Sequence, residues 1–178
     1  MSAVRLMVDV PDDDYRYLEF LKKRRQIACV EDALRTALFF YKKLNLHEWV
    51  PGCYLIGARR ILLVPMIAML DLMHTLSVDD IYLAGRMTAF KWRTLEPMLA
   101  DVDFKKPENW DIVLNDLELM GWGNFTRVGV EIRIEGCPLP LSYVKGYLET
   151  MFKTRFRELK VKVKGLTVLV AVGEEVEV

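Results

Sequence analysis

Cysteine and histidine are scarce in this chain, with three of the first and two of the second in 178 residues. Cys29, Cys53 and Cys137 are widely spaced and form no CxxC pair. That argues against a disulfide framework and for a reducing compartment. His47 and His74 add no HxxxH or CxxC spacing, so a four-ligand zinc site is not supported and no metal is expected. The chain also lacks GxSxG, Walker A and GxGxxG motifs. No catalytic constellation is indicated, and no enzyme is expected. Neither charge sign is in excess: 25 Lys+Arg balance 25 Asp+Glu. A balanced chain has no global pull towards nucleic acid or anionic membrane, so any such binding must come from a local patch.

Long apolar runs are absent as well. The most apolar stretch, Ile61 to Leu70, is too short to span a bilayer, and Pro65, Asp71 and His74 break or bound it. It is read as core, and no membrane partner is expected. Arg5 and Asp9 interrupt the first apolar stretch, and Asp12, Asp13 and Asp14 follow it. This is not a signal-peptide pattern, so the expected location is cytoplasmic. There is no internal repeat and no low-complexity segment. Glu174 to Glu177 reads as a solvated tail.

Hydrophobic residues, in contrast, are plentiful, at 52% of the chain. From residue 3 to 10 they alternate strictly. Val4, Leu6, Val8 and Val10 fall on one face and Arg5, Met7 and Asp9 on the other, which predicts a half-buried strand ended by Pro11. The following aspartates suit the positive end of a helix. Asp13 to Gln26 has helical spacing, with Tyr17, Leu18, Leu21 and Arg25 on or beside one stripe. After the turn Ile27-Ala28-Cys29, a second helix is predicted over Val30 to Leu44, with Val30, Leu34, Ala37, Leu38 and Tyr41 recurring at three and four residues. Its N-cap is expected at Cys29 or Val30.

Strand, helix, short turn and helix within about 45 residues resemble the ribbon-helix-helix family. The carrying residues are Val4-Arg5-Leu6-Met7-Val8-Asp9-Val10-Pro11 and Val30-Glu31-Asp32-Ala33-Leu34-Arg35-Thr36-Ala37-Leu38. Independently, one strand and two short helices cannot bury their own apolar face. The resemblance implies a homodimer with antiparallel strand pairing, whose outward strand residues enter the DNA major groove. Those positions are Arg5, Met7 and Asp9. Arg5 suits guanine, Met7 offers only apolar contact, and Asp9 would face an anionic ligand. The start of the second helix, where the family holds a phosphate, carries Glu31 and Asp32, which repel one. The module has nine basic and seven acidic residues, including Lys22-Lys23-Arg24-Arg25. DNA reader and pure dimerisation clasp are both open on this pattern.

Pro51-Gly52 marks a turn, with Trp49 and Tyr54 interleaved around it. The predicted organisation is therefore a module at 1–46, a packed connector at 47–58 and a larger domain at 59–178. In the larger domain, Arg59 to Val64 reads as a buried strand and Met66 to Leu76 as an apolar helix. Ser77 caps a further helix, with Asp80 three residues on, and that helix ends near Pro97. Asp101 to Lys106 reads as a polar loop, and Pro107 suits a first helical turn. Trp110 to Met120 reads as a helix closed by Gly121-Trp122-Gly123. Strands are predicted at Phe125 to Val130 and Glu131 to Glu135, and a helix over Leu141 to Phe156. A final hairpin is predicted from Leu159 to Lys164 and Leu166 to Val172, with Gly165 in the turn. Strands clustered between helices indicate α+β with a mostly antiparallel sheet.

This layout resembles the vinyl-reductase-like (V4R) family. The resemblance rests on Tyr82-Leu83-Ala84-Gly85-Arg86, on Leu117-Glu118-Leu119-Met120-Gly121-Trp122-Gly123, and on Glu135-Gly136-Cys137-Pro138 followed by Val144-Lys145-Gly146-Tyr147-Leu148-Glu149. It implies a sandwich of mostly antiparallel strands with helices packed on it, and a small-molecule pocket for an apolar ligand. It identifies neither that ligand nor any cofactor. Members commonly carry later cysteines that bind metal, and this chain has none after Cys137. The candidate pocket set is Met66, Met69, Leu70, Met73, Tyr82, Phe90, Tyr143 and Tyr147, with Arg86 to counter an acidic group. Each of these alone reads more readily as core than as pocket, His74 reads as a satisfied core histidine, and Cys137 as a small buried filler. The expected function is a dimeric, ligand-responsive transcriptional regulator. The alternatives are a scaffold that does not bind DNA, or a carrier or enzyme for a tetrapyrrole or hydrocarbon.

Overall fold

The computed structural model describes residues 7–56, 59–96, 99 and 101–175. The chain divides into two compact units, Met1–Ile56 and Gly57–Val178. The first unit holds α1 (Asp12–Lys23), α2 (Val30–Lys43), a 3-10 turn (Leu46–Glu48) and the short strand β1 (Tyr54–Ile56). Pro11 starts α1, and Asp12, Asp13 and Asp14 occupy its first turn, where the helix dipole favours them. Cys29 caps α2: its Sγ accepts the Asp32 N–H at 3.4 Å. The connector aromatics are packed within this unit. The Trp49 indole N–H donates to the carbonyls of Leu44 and Leu55, at 3.1 and 2.7 Å, and the ring lies 4.7 Å from Tyr54. The unit therefore runs through the segment expected to be a connector.

The second unit is α+β. Its elements are β2 (Arg59–Ile61), α3 (Met66–His74), α4 (Val78–Leu95), α5 (Trp110–Leu119), β3 (Asn124–Val128), β4 (Glu131–Glu135), α6 (Leu141–Phe152), β5 (Thr154–Leu159) and β6 (Leu166–Glu175). The last four strands form one antiparallel sheet in the order β3-β4-β6-β5. Alternation puts Phe125, Ile132, Ile134, Phe156 and Leu169 on its buried face. The register sets Phe125 opposite Ile134, Ile132 opposite Leu169, and Phe156 opposite Ala171. Against that face pack α5 and the almost wholly buried α6. The Trp110 and Phe152 rings stack at 4.6 Å and 9° in the centre of the core. Burial of each such ring is worth about 2 kcal/mol or more.

The local signals explain the helix ends. Ser77 Oγ accepts the Asp80 N–H at 3.1 Å, so it caps α4 as its position predicts. At the end of α5, Trp122 N–H reaches the Leu117 carbonyl and Gly121 N–H the Glu118 carbonyl, both at 3.0 Å. That paired closure needs a left-handed residue, and Gly121 supplies it at φ 78°.

Five expectations are corrected. The helix predicted over Leu141 to Phe156 stops at Phe152, because Lys153 turns left-handed and Thr154–Leu159 runs as β5. Phe156 is the buried residue of that strand, between exposed Arg155 and Arg157, which is a strand pattern rather than a helical one. Accordingly, residues 160–164 are not a strand. Val161 and Val163 alternate with lysines but are exposed, so the alternation has no face to bury. The predicted buried strand Arg59 to Val64 is three residues long, and Leu62 beyond it is 78% exposed. The stretch read as core is largely exposed within one chain: Met66, Ile67 and Leu72 face out, and Met73 is the buried residue of α3. His74, expected in the core, is exposed too.

Candidate functional site

The second unit is organised around the crossing of α4 and α6. Two Tyr-x-x-Gly segments meet there, Tyr82-Leu83-Ala84-Gly85 and Tyr143-Val144-Lys145-Gly146. A Cβ on Gly85 would lie 2.1 Å from the Tyr143 carbonyl oxygen, and one on Gly146 would lie 2.2 Å from that of Tyr82. Each helix therefore rests its backbone in the notch left by the other's glycine. The two contacts run in opposite sequence sense.

Close approach brings a polar network into the seam. Glu149 is 1% exposed. Its Oε2 accepts the Tyr82 hydroxyl at 2.5 Å and an Arg155 N–H at 3.4 Å. Its Oε1 accepts the Phe156 N–H at 2.8 Å and lies 3.8 Å from Lys145 Nζ. Arg155 also donates to the Tyr82 oxygen at 3.0 Å. Burial, reinforced by the Glu149 carboxylate, pushes the Tyr82 phenol above its ordinary pKa. Both carboxylate oxygens accept hydrogen bonds, so the network ties α4, α6 and β5 together. Nearby, the Tyr143 hydroxyl donates to Thr88 Oγ1 at 3.0 Å, and Thr88 donates to the Ala84 carbonyl. Burial raises the Tyr143 pKa.

Beside this seam lies an open hollow of about 380 Å³, lined by Leu83, Arg86, Met87, Phe90 and Thr150. Leu83, Met87 and Phe90 recur at four and three residues and are each about half exposed. The Thr150 hydroxyl is buried and has no hydrogen-bond partner. An apolar wall with one guanidinium and one unsatisfied hydroxyl suits an apolar molecule that carries a polar end.

Of the nine candidate pocket residues, this hollow takes Arg86 and Phe90. Tyr82 belongs to the Glu149 network, and Tyr143 stands at the crossing. Tyr147 is fully buried, with Trp122 at 5.1 Å and Trp92 at 6.0 Å. Met66 and Met69 are exposed on α3, Leu70 is half-buried and Met73 buried. Leu83, Met87 and Thr150 were not singled out from the sequence. The spacing of Leu83, Met87 and Phe90 carried the signal for the first two, whereas Thr150 sits in a run of buried residues that spacing cannot resolve.

Of the candidate DNA-reading residues, Arg5 lies outside the described residues. Met7 is 93% exposed and Asp9 is exposed, and residues 7–10 belong to no strand. Among the described residues no group of three His, Cys, Asp or Glu could hold a metal ion, and no helix is long and apolar enough to cross a membrane. Comparison with known protein families, curated proteins and solved structures gave no match to this chain.

Proposed function

We propose that the chain is a dimeric transcriptional regulator, with a ribbon-helix-helix module at its N-terminus and a sandwich domain that takes a small apolar ligand. One observation carries the reading. Neither α1 nor α2 contains a buried residue, although both are amphipathic. Tyr17, Phe20, Leu34, Leu38 and Phe39 all stand in solvent, Leu38 at 66%. Two helices with apolar stripes and no core are half of a folding unit. A second copy that pairs its strand and helices with these would complete that unit, and Arg5, Met7 and Asp9 would then project on the outer face of the ribbon. The basic run Lys22-Lys23-Arg24-Arg25 would sit beside the phosphates. The hollow at Arg86 and Phe90 is the ligand site in this reading.

A scaffold that dimerises without DNA is favoured by one feature, the start of α2. Glu31 and Asp32 occupy its first turn, Cys29 takes up the Asp32 N–H, and Arg35 is drawn onto Asp32 at 3.2 Å. A phosphate would meet two carboxylates there. Fluorescence anisotropy with mixed-sequence duplex DNA, repeated across salt, separates the two readings. The regulator predicts binding that weakens steeply with salt and that Arg5→Ala reduces. A full-length dimer that binds no DNA at low salt leaves the scaffold.

A further inference from the structure

A second cavity, of about 310 Å³, opens in the larger unit away from the α4 stripe. Its residues come from the loop before α5, the start of α5, the α6–β5 junction and β6: chiefly Lys105, Pro107, Trp110, Phe152, Lys153 and Thr154. None of the described residues lining it is acidic. The stacked rings of Trp110 and Phe152 close its inner end. The Trp110 indole N–H is already committed to the Phe104 carbonyl at 2.7 Å. The other polar side chains lining the cavity are those of Lys105, Lys153 and Thr154.

Lys153 is set there at a cost. It follows α6 directly and holds φ 54°, ψ 37°, the left-handed region where a side chain with a Cβ crowds its own backbone. Helix ends that need this conformation favour glycine or asparagine. A lysine at this position supplies a cation at the cavity wall that glycine would not, and strained non-glycine residues cluster at binding sites.

We infer that this cavity binds a small aromatic carboxylate, with Lys153 and Lys105 meeting the anion and Pro107, Val130 and Ala171 accommodating the ring. The site stands apart from the hollow at Arg86, and the inference does not depend on DNA binding. The test is isothermal titration of the full-length protein with salicylate, and with benzyl alcohol as the neutral counterpart. Salicylate should bind saturably and benzyl alcohol about tenfold or more weakly, the size of one charge-assisted contact. Lys153→Gly relieves the backbone and removes the charge. It should leave the melting temperature unchanged or higher while weakening salicylate about tenfold, and Lys105→Gln should weaken it as well. A purely structural lysine, capping the α6 carbonyls with its charge, predicts the reverse: a lower melting temperature and unchanged affinity. That result, equal binding of the neutral compound, or no saturable binding of salicylate would overturn the assignment.

Discussion

Gly85 lies against the carbonyl of Tyr143 so closely that no side chain fits between α4 and α6. The obstacle is helical backbone, which cannot rotate aside. Gly85→Ala should therefore destabilise the protein by roughly 3 kcal/mol or more, and Gly146→Ala by a similar amount. Urea unfolding would show it as a lower midpoint with an unchanged slope. Because both substitutions open the same crossing, the double variant should lose less than the sum. A loss below about 1 kcal/mol for either single variant would mean that the helices do not meet as described.

The Glu149 network predicts a specific cost for Tyr82→Phe. The change keeps the ring and removes the hydroxyl that donates to a buried carboxylate. Such a loss is worth about 1–3 kcal/mol. Tyr82 also gives the wild-type protein an alkaline signature. Its folded pKa is raised above the ordinary 10.0, first by burial and then by Glu149. The stability it contributes is therefore fully present below that value and is lost as pH rises through the folded pKa. Absorbance titration of the folded protein should find one fewer tyrosine ionising above the ordinary range in Tyr82→Phe than in the wild type, and after unfolding the remaining tyrosines of both should ionise near 10.

Asp111 and Arg127 form a two-pronged pair, Nε to Oδ1 at 2.9 Å and Nη2 to Oδ2 at 2.7 Å, joining α5 to β3. The Arg127 hydrogen bonds hold the Asp111 carboxyl below its ordinary 3.8. A depressed carboxylate stabilises the fold above its unfolded pKa, and the contribution disappears as pH falls through the folded value. The pair is partly exposed, with Asp111 half in solvent. Arg127→Ala should therefore cost about 0.5–1 kcal/mol at neutral pH. The gap between variant and wild type should close as the pH drops below the ordinary carboxylate range. A gap that is constant with pH would mean the arginine acts through packing alone.

Leu38 tests the proposed dimer. It is already exposed in a single chain, so Leu38→Glu should be harmless to a monomer. In a dimer closed through the α2 stripe it buries a carboxylate without a partner. Sedimentation velocity at micromolar concentration should then show a dimer for the wild type and a monomer for the variant. Equal sedimentation of the two would remove α2 from any interface.

Capping and punctuation were legible in the sequence because they are local. Ser77 with Asp80, Gly121 with Trp122, and Cys29 before α2 each act within five residues. The alternation of β4 was equally plain. What escaped depends on partners far along the chain. Glu149 reads as an ordinary helix-face carboxylate, and only Tyr82 and Arg155 make it buried structure. Lys160 to Lys164 alternates like a strand, yet whether valines at two-residue spacing pair depends on a face being free to receive them. The end of α6 was missed because Lys153 carries none of the residue types that ordinarily stop a helix.

The sheet order has a kinetic corollary. β3–β4 and β5–β6 are neighbours in sequence and can zip locally, whereas the β4–β6 seam between them sets Glu135 opposite Leu166 and must close a loop that contains all of α6. Loop closure is the entropic obstacle to non-local pairing. Two preformed hairpins meeting around a helix make that seam the slow step. Interactions across Ile132 and Leu169 then set how fast the domain folds, and the glycine notches of α4 and α6 set how long it stays folded.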